Sequence, residues 1–285
     1  MRLDDQRESS NFEIGGRGGG GGFGGGLPLG LLFANPKLGC LVIVVMIVGA
    51  LVMGINPLSL IGGGGAPVQT QGSRDVSQLT PVQRWSLKVL GSTEDTWGKI
   101  FAESGQRYQP STLRFYTRSD VSGCGAAQSA MGPFYCPTDQ KVYLDTSFFD
   151  ELSQRFGAPG DFAQAYVIAH EIGHHIQDLT GTLDKARQLQ SRASSAEGNA
   201  VQVKVELQAD CYAGVWGARN RQLLEPGDIE EGMRAANSIG DDTLQKEAGQ
   251  RPMPDSFTHG TSAQRMEWLK KGLDSGDPAV CDTGI

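Results

Sequence analysis

Histidine is scarce in this chain, with four in 285 residues, so a motif built from histidines is not a chance product of the composition. Cysteine is nearly as scarce, and none of the five forms the Cys-x-x-Cys pair common in structural zinc sites. The net charge is −7, and no basic stripe or aromatic-interleaved basic patch is present, which excludes nucleic acid as the expected partner. The glycine-dominated stretch from Gly15 to Gly30 has no Gly-Lys-Ser/Thr ending and no preceding strand, which argues against a phosphate-binding loop. No internal repeat is evident.

The order of composition along the chain predicts its organisation. Residues 1 to 14 are polar and carry charges of both signs, and with the glycine-rich stretch they predict a disordered tail over 1–37, because so little apolar surface does not offset chain entropy. Leu38 to Ile55 is eighteen residues without a charge, about 27 Å as a helix, and predicts a single transmembrane span. A cleaved signal peptide has a shorter apolar core behind a shorter leader. Lys37 and Arg17 precede the run and no Lys or Arg follows until Arg74, so the expected orientation has the N-terminus in the cytoplasm and the rest outside the inner membrane. Residues 56–79 predict a flexible linker, and Thr80-Pro81, a helix N-cap and first-turn pair, opens a folded domain over 80–285.

Within that domain the pattern predicts a helix (Val82 to Glu103), a strand (Thr112 to Thr117), a Cys-bounded loop, a strand (Lys141 to Asp145), and then helices. Strands followed by helices indicate an α+β class. With Cys40 inside the expected span, Cys124, Cys136, Cys211 and Cys281 remain, an even number suited to two disulfides in an oxidising compartment. Of the three pairings, Cys124 with Cys136 closes a short Gly/Pro-rich loop, and Cys211 with Cys281 ties the C-terminal tail to a helix.

Three of the four histidines fall in His170-Glu171-Ile172-Gly173-His174-His175. Residues four apart share a helical face, so His170 and His174 can reach one metal ion while Glu171 lies at its rim. The uncharged flanks from Ala165 to Ala169 and at Ile176 predict a mostly buried helix, with Asp161 as its N-cap and Gly181 at its end. His175 points about 100° away from His174 and reads as a packing or surface residue. A third ligand is required, and Glu206 is the best candidate, with His259 an alternative. Glu206 and Asp210 share one face of an otherwise apolar segment, with no basic residue four positions from either. A metal on Glu206 and a ligand imidazole held by Asp210 would relieve their repulsion.

This combination, H-E-x-x-H followed by E-x-x-x-D on the next long helix, is the glutamate-ligand zincin arrangement. Together with the opening Met1-Arg2-Leu3-Asp4-Asp5-Gln6-Arg7, it resembles the bacterial putative neutral zinc metallopeptidase family across essentially the whole chain. The resemblance implies a zincin-like catalytic domain, mostly helical with a small sheet, behind one transmembrane helix. It implies Zn2+ bound by His170, His174 and Glu206, with Glu171 as general base and Asp210 supporting a ligand. A protein or peptide is the implied substrate and an endopeptidase the expected activity. The stretch Thr258 to Met266 is similar to a late His-Pro…Arg element of membrane-linked zincins, with Gly260 where proline is common; it implies that His259 or Arg265 approaches the site. The strand Val142 to Asp145 is expected to border the cleft and accept an extended peptide along its edge. Two other readings stay open: a membrane-tethered scaffold that keeps zinc for stability, and a hydrolase of cell-wall amides.

Overall fold

The computed structural model describes residues 1–15 and 72–285. The first strand, β1 (Phe12–Ile14), precedes the long helix α1 (Pro81–Glu103). That helix starts where Thr80-Pro81 dictates: Thr80 accepts the Gln83 backbone N–H, and the Gln83 side chain accepts the Thr80 N–H in return. Five strands follow, β2 (Thr112–Phe115), β3 (Ser119–Ser122), β4 (Gly125–Gln128), β5 (Phe134–Cys136) and β6 (Lys141–Leu144). Seven further helices complete the described chain: α2 (Ser147–Gln154), α3 (Asp161–Leu179), α4 (Thr182–Gln190), α5 (Ser195–Arg219), α6 (Asp228–Ser238), α7 (Asp241–Glu247) and α8 (Ser262–Ser275). The expected N-cap of α3 shifts by one residue, to Gly160, and Asp161 becomes its first helical residue.

The fold is α+β, mostly helical with a small sheet of order β1-β2-β6-β5; β3 and β4 form a separate hairpin. β1, β2 and β6 run parallel, and β5 is antiparallel to β6. Leu113, Phe115, Val142 and Leu144 from the sheet share one buried cluster with Leu87 and Leu90 of α1 and Ile168 and Ile172 of α3. Truncating one such aliphatic side chain to alanine costs about 2–5 kcal/mol.

Helix α5 lies between α3 and α8, and glycine makes both contacts close. A Cβ on Gly173, inside the histidine motif, would lie 2.9 Å from the Ala209 carbonyl oxygen, and one on Gly272 would lie 2.0 Å from that of Cys211. The missing side chains therefore set how near α3 and α8 come to α5. Disulfides join Cys124 to Cys136 and Cys211 to Cys281, 12 and 70 residues apart. On a chain-entropy basis these loops are worth about 3 and about 4 kcal/mol respectively.

The structure corrects the expected organisation at the N-terminus. Residues 1–15 are not a disordered tail: β1 pairs with β2 in the register Phe12 to Leu113 through Ile14 to Phe115. Met1, Leu3 and Phe12 are buried in the main core, which supplies the apolar burial that a polar average conceals. Ser9 and Asn11 donate to Glu94 of α1 at 2.6 and 2.8 Å, and Arg7 pairs with the same carboxylate. The last residues of the expected linker are also built in, because Ser73 and Ile14 exchange backbone hydrogen bonds of 2.9 and 2.7 Å.

The membrane expectation is corrected as well. Leu38 to Ile55 lies outside the described residues, and among those described no helix is long and apolar enough to cross a membrane. The fold class shown is therefore α+β, mostly helical with a small sheet, with no membrane-crossing helix among the described residues. A third correction concerns the strand at Val142 to Asp145: β6 is flanked by β2 and β5 on its two sides, so it offers no free edge. The edge strand at that side of the sheet is β5.

Candidate metal centre

Helix α3 presents His170 and His174 one turn apart, and the close approach at Gly173 lets Glu206 and Asp210 of α5 meet them. Glu206 Oε2 lies 3.2 Å from His170 Nε2 and 3.5 Å from His174 Nε2. The two rings stand nearly perpendicular, at 88°, with centroids 4.8 Å apart. One potential ligand atom from each of the three residues falls within 4.8 Å of the others. Glu206 Oε1 accepts from Gln202 Nε2 at 2.9 Å, which holds the carboxylate from behind.

The opposite ring nitrogens are engaged, and this decides what the converging ones can do. His170 Nδ1 donates to Asp210 Oδ1 at 2.8 Å, and His174 Nδ1 donates to Gln177 Oε1 at 2.8 Å. With Nδ1 so engaged, each ring turns its Nε2 toward the shared point, where a bound metal would take the lone pair in place of a proton. Two imidazoles, one carboxylate and an open side on the cleft suit zinc with a remaining coordination position. The donor set fits the ion that the sequence implied.

Asp210 is the hub of the support. Its carboxylate is fully buried and accepts from Tyr166 Oη at 2.5 Å, from Arg265 Nε and Nη2 at 2.9 Å each, and from His170. Arg265, also buried, makes a two-pronged contact with Asp210 and is one of the residues that line the cleft. Burial raises the Asp210 pKa, but the Arg265 and His170 charges outweigh it and bring it down to about 2. Burial likewise opposes a charged His170, yet Asp210 and Glu206 push its pKa up to about 10. Glu206 lies well below the ordinary carboxylate range despite its burial, because both imidazoles favour its charge.

Glu171 faces the same site with a carboxyl that burial pushes up in pKa, while a hydrogen bond from the Tyr135 backbone N–H resists the shift. A carboxyl displaced toward neutrality can both take and return a proton. The tyrosine N–H belongs to β5, so the edge strand and Glu171 border the same opening. That opening is a cleft of 670 Å³ whose apolar wall includes Met131, Phe134, Phe148, Phe156 and Leu183. His259 also lines it. Its side chain is 49% exposed, with Nδ1 3.4 Å from Asp241 Oδ1, and its backbone N–H donates to Asp241 Oδ2 at 2.6 Å. Gly260 adopts φ 86°, which proline cannot reach, so the departure from the His-Pro pattern has a backbone reason. His175 lies away from the cluster, buried between Tyr135 Oη and the Gln109 carbonyl oxygen at 3.0 and 2.7 Å.

Sequence reasoning passed over Tyr166, Gln177 and Asp241. The first two had a readable signal, a polar group at helical spacing from a ligand histidine in an otherwise apolar helix. Asp241 had none, since it precedes His259 by 18 residues.

A model of the putative neutral zinc metallopeptidase family matches residues 1–284. The chain belongs to this family. It is 47% identical over 287 residues to the uncharacterized protein YpfJ of Escherichia coli K12, a match covering 99% of this chain and 98% of that one. It is also 43% identical over 184 residues to the uncharacterized protein Rv2575 of Mycobacterium tuberculosis, covering 60% of this chain and 61% of that protein. No solved structure matches it. The family match spans both the histidine motif and the N-terminal residues that pack against α1.

Proposed function

We propose that this family member hydrolyses peptide bonds at the cleft beside α3, as a zinc-dependent endopeptidase. The observation that carries the reading is the convergence of His170 Nε2, His174 Nε2 and Glu206 Oε2 next to a buried Glu171 carboxyl. Those three side chains would hold the ion, and bound zinc supplies a Lewis acid that polarises a carbonyl and acidifies water. Glu171 accepts the proton of the attacking water and returns it to the leaving amine. His259, steadied by Asp241, stabilises the charge that develops on the carbonyl oxygen. An extended chain lies along the free edge of β5, where backbone pairing tolerates many sequences and does not require a chain end. The apolar wall favours peptides that carry a large aliphatic or aromatic side chain beside the cleaved bond.

Two disulfides in one domain support an oxidising compartment outside the cytoplasm as the place of action. Replacing Glu171→Gln tests the mechanism. The variant should retain zinc and lose about 10²–10⁴-fold in peptide cleavage, read by mass spectrometry of a proteome-derived peptide library. Hydrolysis at the wild-type rate by a zinc-loaded variant would remove Glu171 from the reaction. Cleavage of muropeptides with no cleavage of the library would redirect the assignment to cell-wall amides.

A further inference from the structure

The two candidate ligand histidines are backed by different chemistry. His170 donates Nδ1–H to a carboxylate, which has no wrong way round, whereas His174 donates to the amide of Gln177. An amide fixes a tautomer only when something else fixes the amide, because its two ends are nearly the same shape and opposite in polarity. In this chain that something is present. Gln177 is fully buried, and its Nε2 donates to the Val205 carbonyl at 2.7 Å and to Gln208 Oε1 at 3.1 Å. Gln208 Nε2 then donates to the Cys281 carbonyl at 3.0 Å. A backbone carbonyl only accepts, so each amide has one orientation that satisfies its neighbours, and that orientation places Oε1 of Gln177 against the ring. The end of the series is anchored as well, because Cys281 is bonded to Cys211 on the helix that carries Gln208.

We propose that Gln177 and Gln208 are positioning residues: from the carbonyls of Val205 and Cys281 they transmit a one-way hydrogen-bond polarity that holds His174 in its Nδ1–H tautomer. Nε2, which faces Glu206, is thereby the nitrogen left to the metal. The inference rests on the reading of His174 as a metal ligand, and it gives the C-terminal disulfide a second task besides tethering the tail. It also accounts for two buried glutamines where apolar residues would pack at lower desolvation cost. A carboxylate in place of Gln177 would face the Val205 carbonyl and Gln208 Oε1 with no proton to offer, so glutamine is the residue type that both accepts from the ring and donates onward.

The test uses the full chain and the variants Gln177→Leu and Gln208→Leu, with two readouts that do not depend on turnover. Long-range 1H–15N spectra of the metal-free protein, at a pH where the ring is neutral, report the tautomer, and competition with a chelator reports zinc affinity. The wild type should show the Nδ1–H pattern at His174. Gln177→Leu should lose it and bind zinc about 10–100-fold more weakly. Gln208→Leu should shift both readouts in the same direction by less, since Val205 still holds Gln177. Folded variants that keep the wild-type tautomer and an affinity within about twofold would overturn the proposal. If Gln177→Leu does not fold, Gln208→Leu, two contacts from the ring, decides on the same measurements. A wild type that binds zinc with the expected tautomer but cleaves no peptide would sink the peptidase reading and leave this one standing.

Discussion

Among the described residues, two places gather three side chains of ligand type within 4.8 Å: His170, His174 and Glu206 in one, and Asp161, Asp228 and Glu231 in the other. By proximity they look alike, and their surroundings separate them. In the first, Asp210 and Gln177 occupy the outer ring nitrogens, so the two Nε2 atoms are turned inward. In the second, Asp161 and Asp228 begin α3 and α6, where helix N-termini favour negative charge. Glu231 there accepts the Phe162 backbone N–H at 3.2 Å, Asp228 accepts that of Glu225 at 2.8 Å, and the Met1 amino nitrogen lies 2.6 Å from Asp161. The acids already have partners. What distinguishes a metal centre is how its ligands are held from behind.

The strongest way to break this comparison is to delete one member of each cluster and measure zinc by elemental analysis. His174→Ala should leave the purified protein without bound zinc, while Asp228→Asn should retain the wild-type amount; the reverse pattern would mean that the wrong cluster was chosen. The next largest effect is expected at Asp210→Asn. Removing its charge leaves the Arg265 guanidinium, 3% exposed, without its anion, which costs about 3–5 kcal/mol of stability. Zinc affinity should fall about 10–100-fold with it, because the ligand His170 loses its carboxylate acceptor. A denaturant midpoint and a chelator titration read the two separately, and no change in either would dismiss Asp210 as a support.

Gly173→Ala tests whether helix spacing matters to the first cluster alone. The added methyl group meets the Ala209 carbonyl, so about 1–3 kcal/mol of overpacking strain and a weaker zinc complex are expected. Unaltered stability and affinity would show that the approach is not tight. The smallest effect is a pH dependence in the second cluster. Burial and the neighbouring charges of Asp161 and Asp228 raise the Glu231 pKa above its ordinary 4.5. A raised carboxyl contributes stability below its unfolded pKa and loses it as pH rises through the folded value, so Glu231→Gln should stabilise the fold slightly at pH 7. At a pH well below 4.5 the two proteins should melt alike, since the carboxyl is neutral in both states, and zinc content should be unaffected throughout. A larger gain in acid than at neutrality would reverse the sign of the argument.

Much of the candidate site was legible because helical spacing is local. His170 to His174 and Glu206 to Asp210 are each one turn, and the apolar surroundings of each pair announced burial before any tertiary contact was known. The start of α1 at Thr80-Pro81 was legible for the same reason, since a capping box uses residues three apart. The pairing of Cys211 with Cys281 was preferred from the sequence and is present. β1 was not legible, because three residues hold no periodicity and its partners in β2, Leu113 to Phe115, lie far along the chain. The edge strand was misassigned for a related reason: β6 has the stronger strand composition, but an edge is a property of the sheet order and not of one strand.

The sequence by itself determined the chemistry available: which residue types sit one helical turn apart, where the helices begin, and which cysteines are at hand. Such information lives in separations of three or four residues, where backbone geometry leaves little choice. Only the tertiary structure decided that Glu206 reaches the histidines across Gly173, that Arg265 pairs with Asp210, and that the N-terminal residues join the sheet. Those outcomes depend on close approaches between segments distant in sequence, which packing sets and spacing along the chain does not encode.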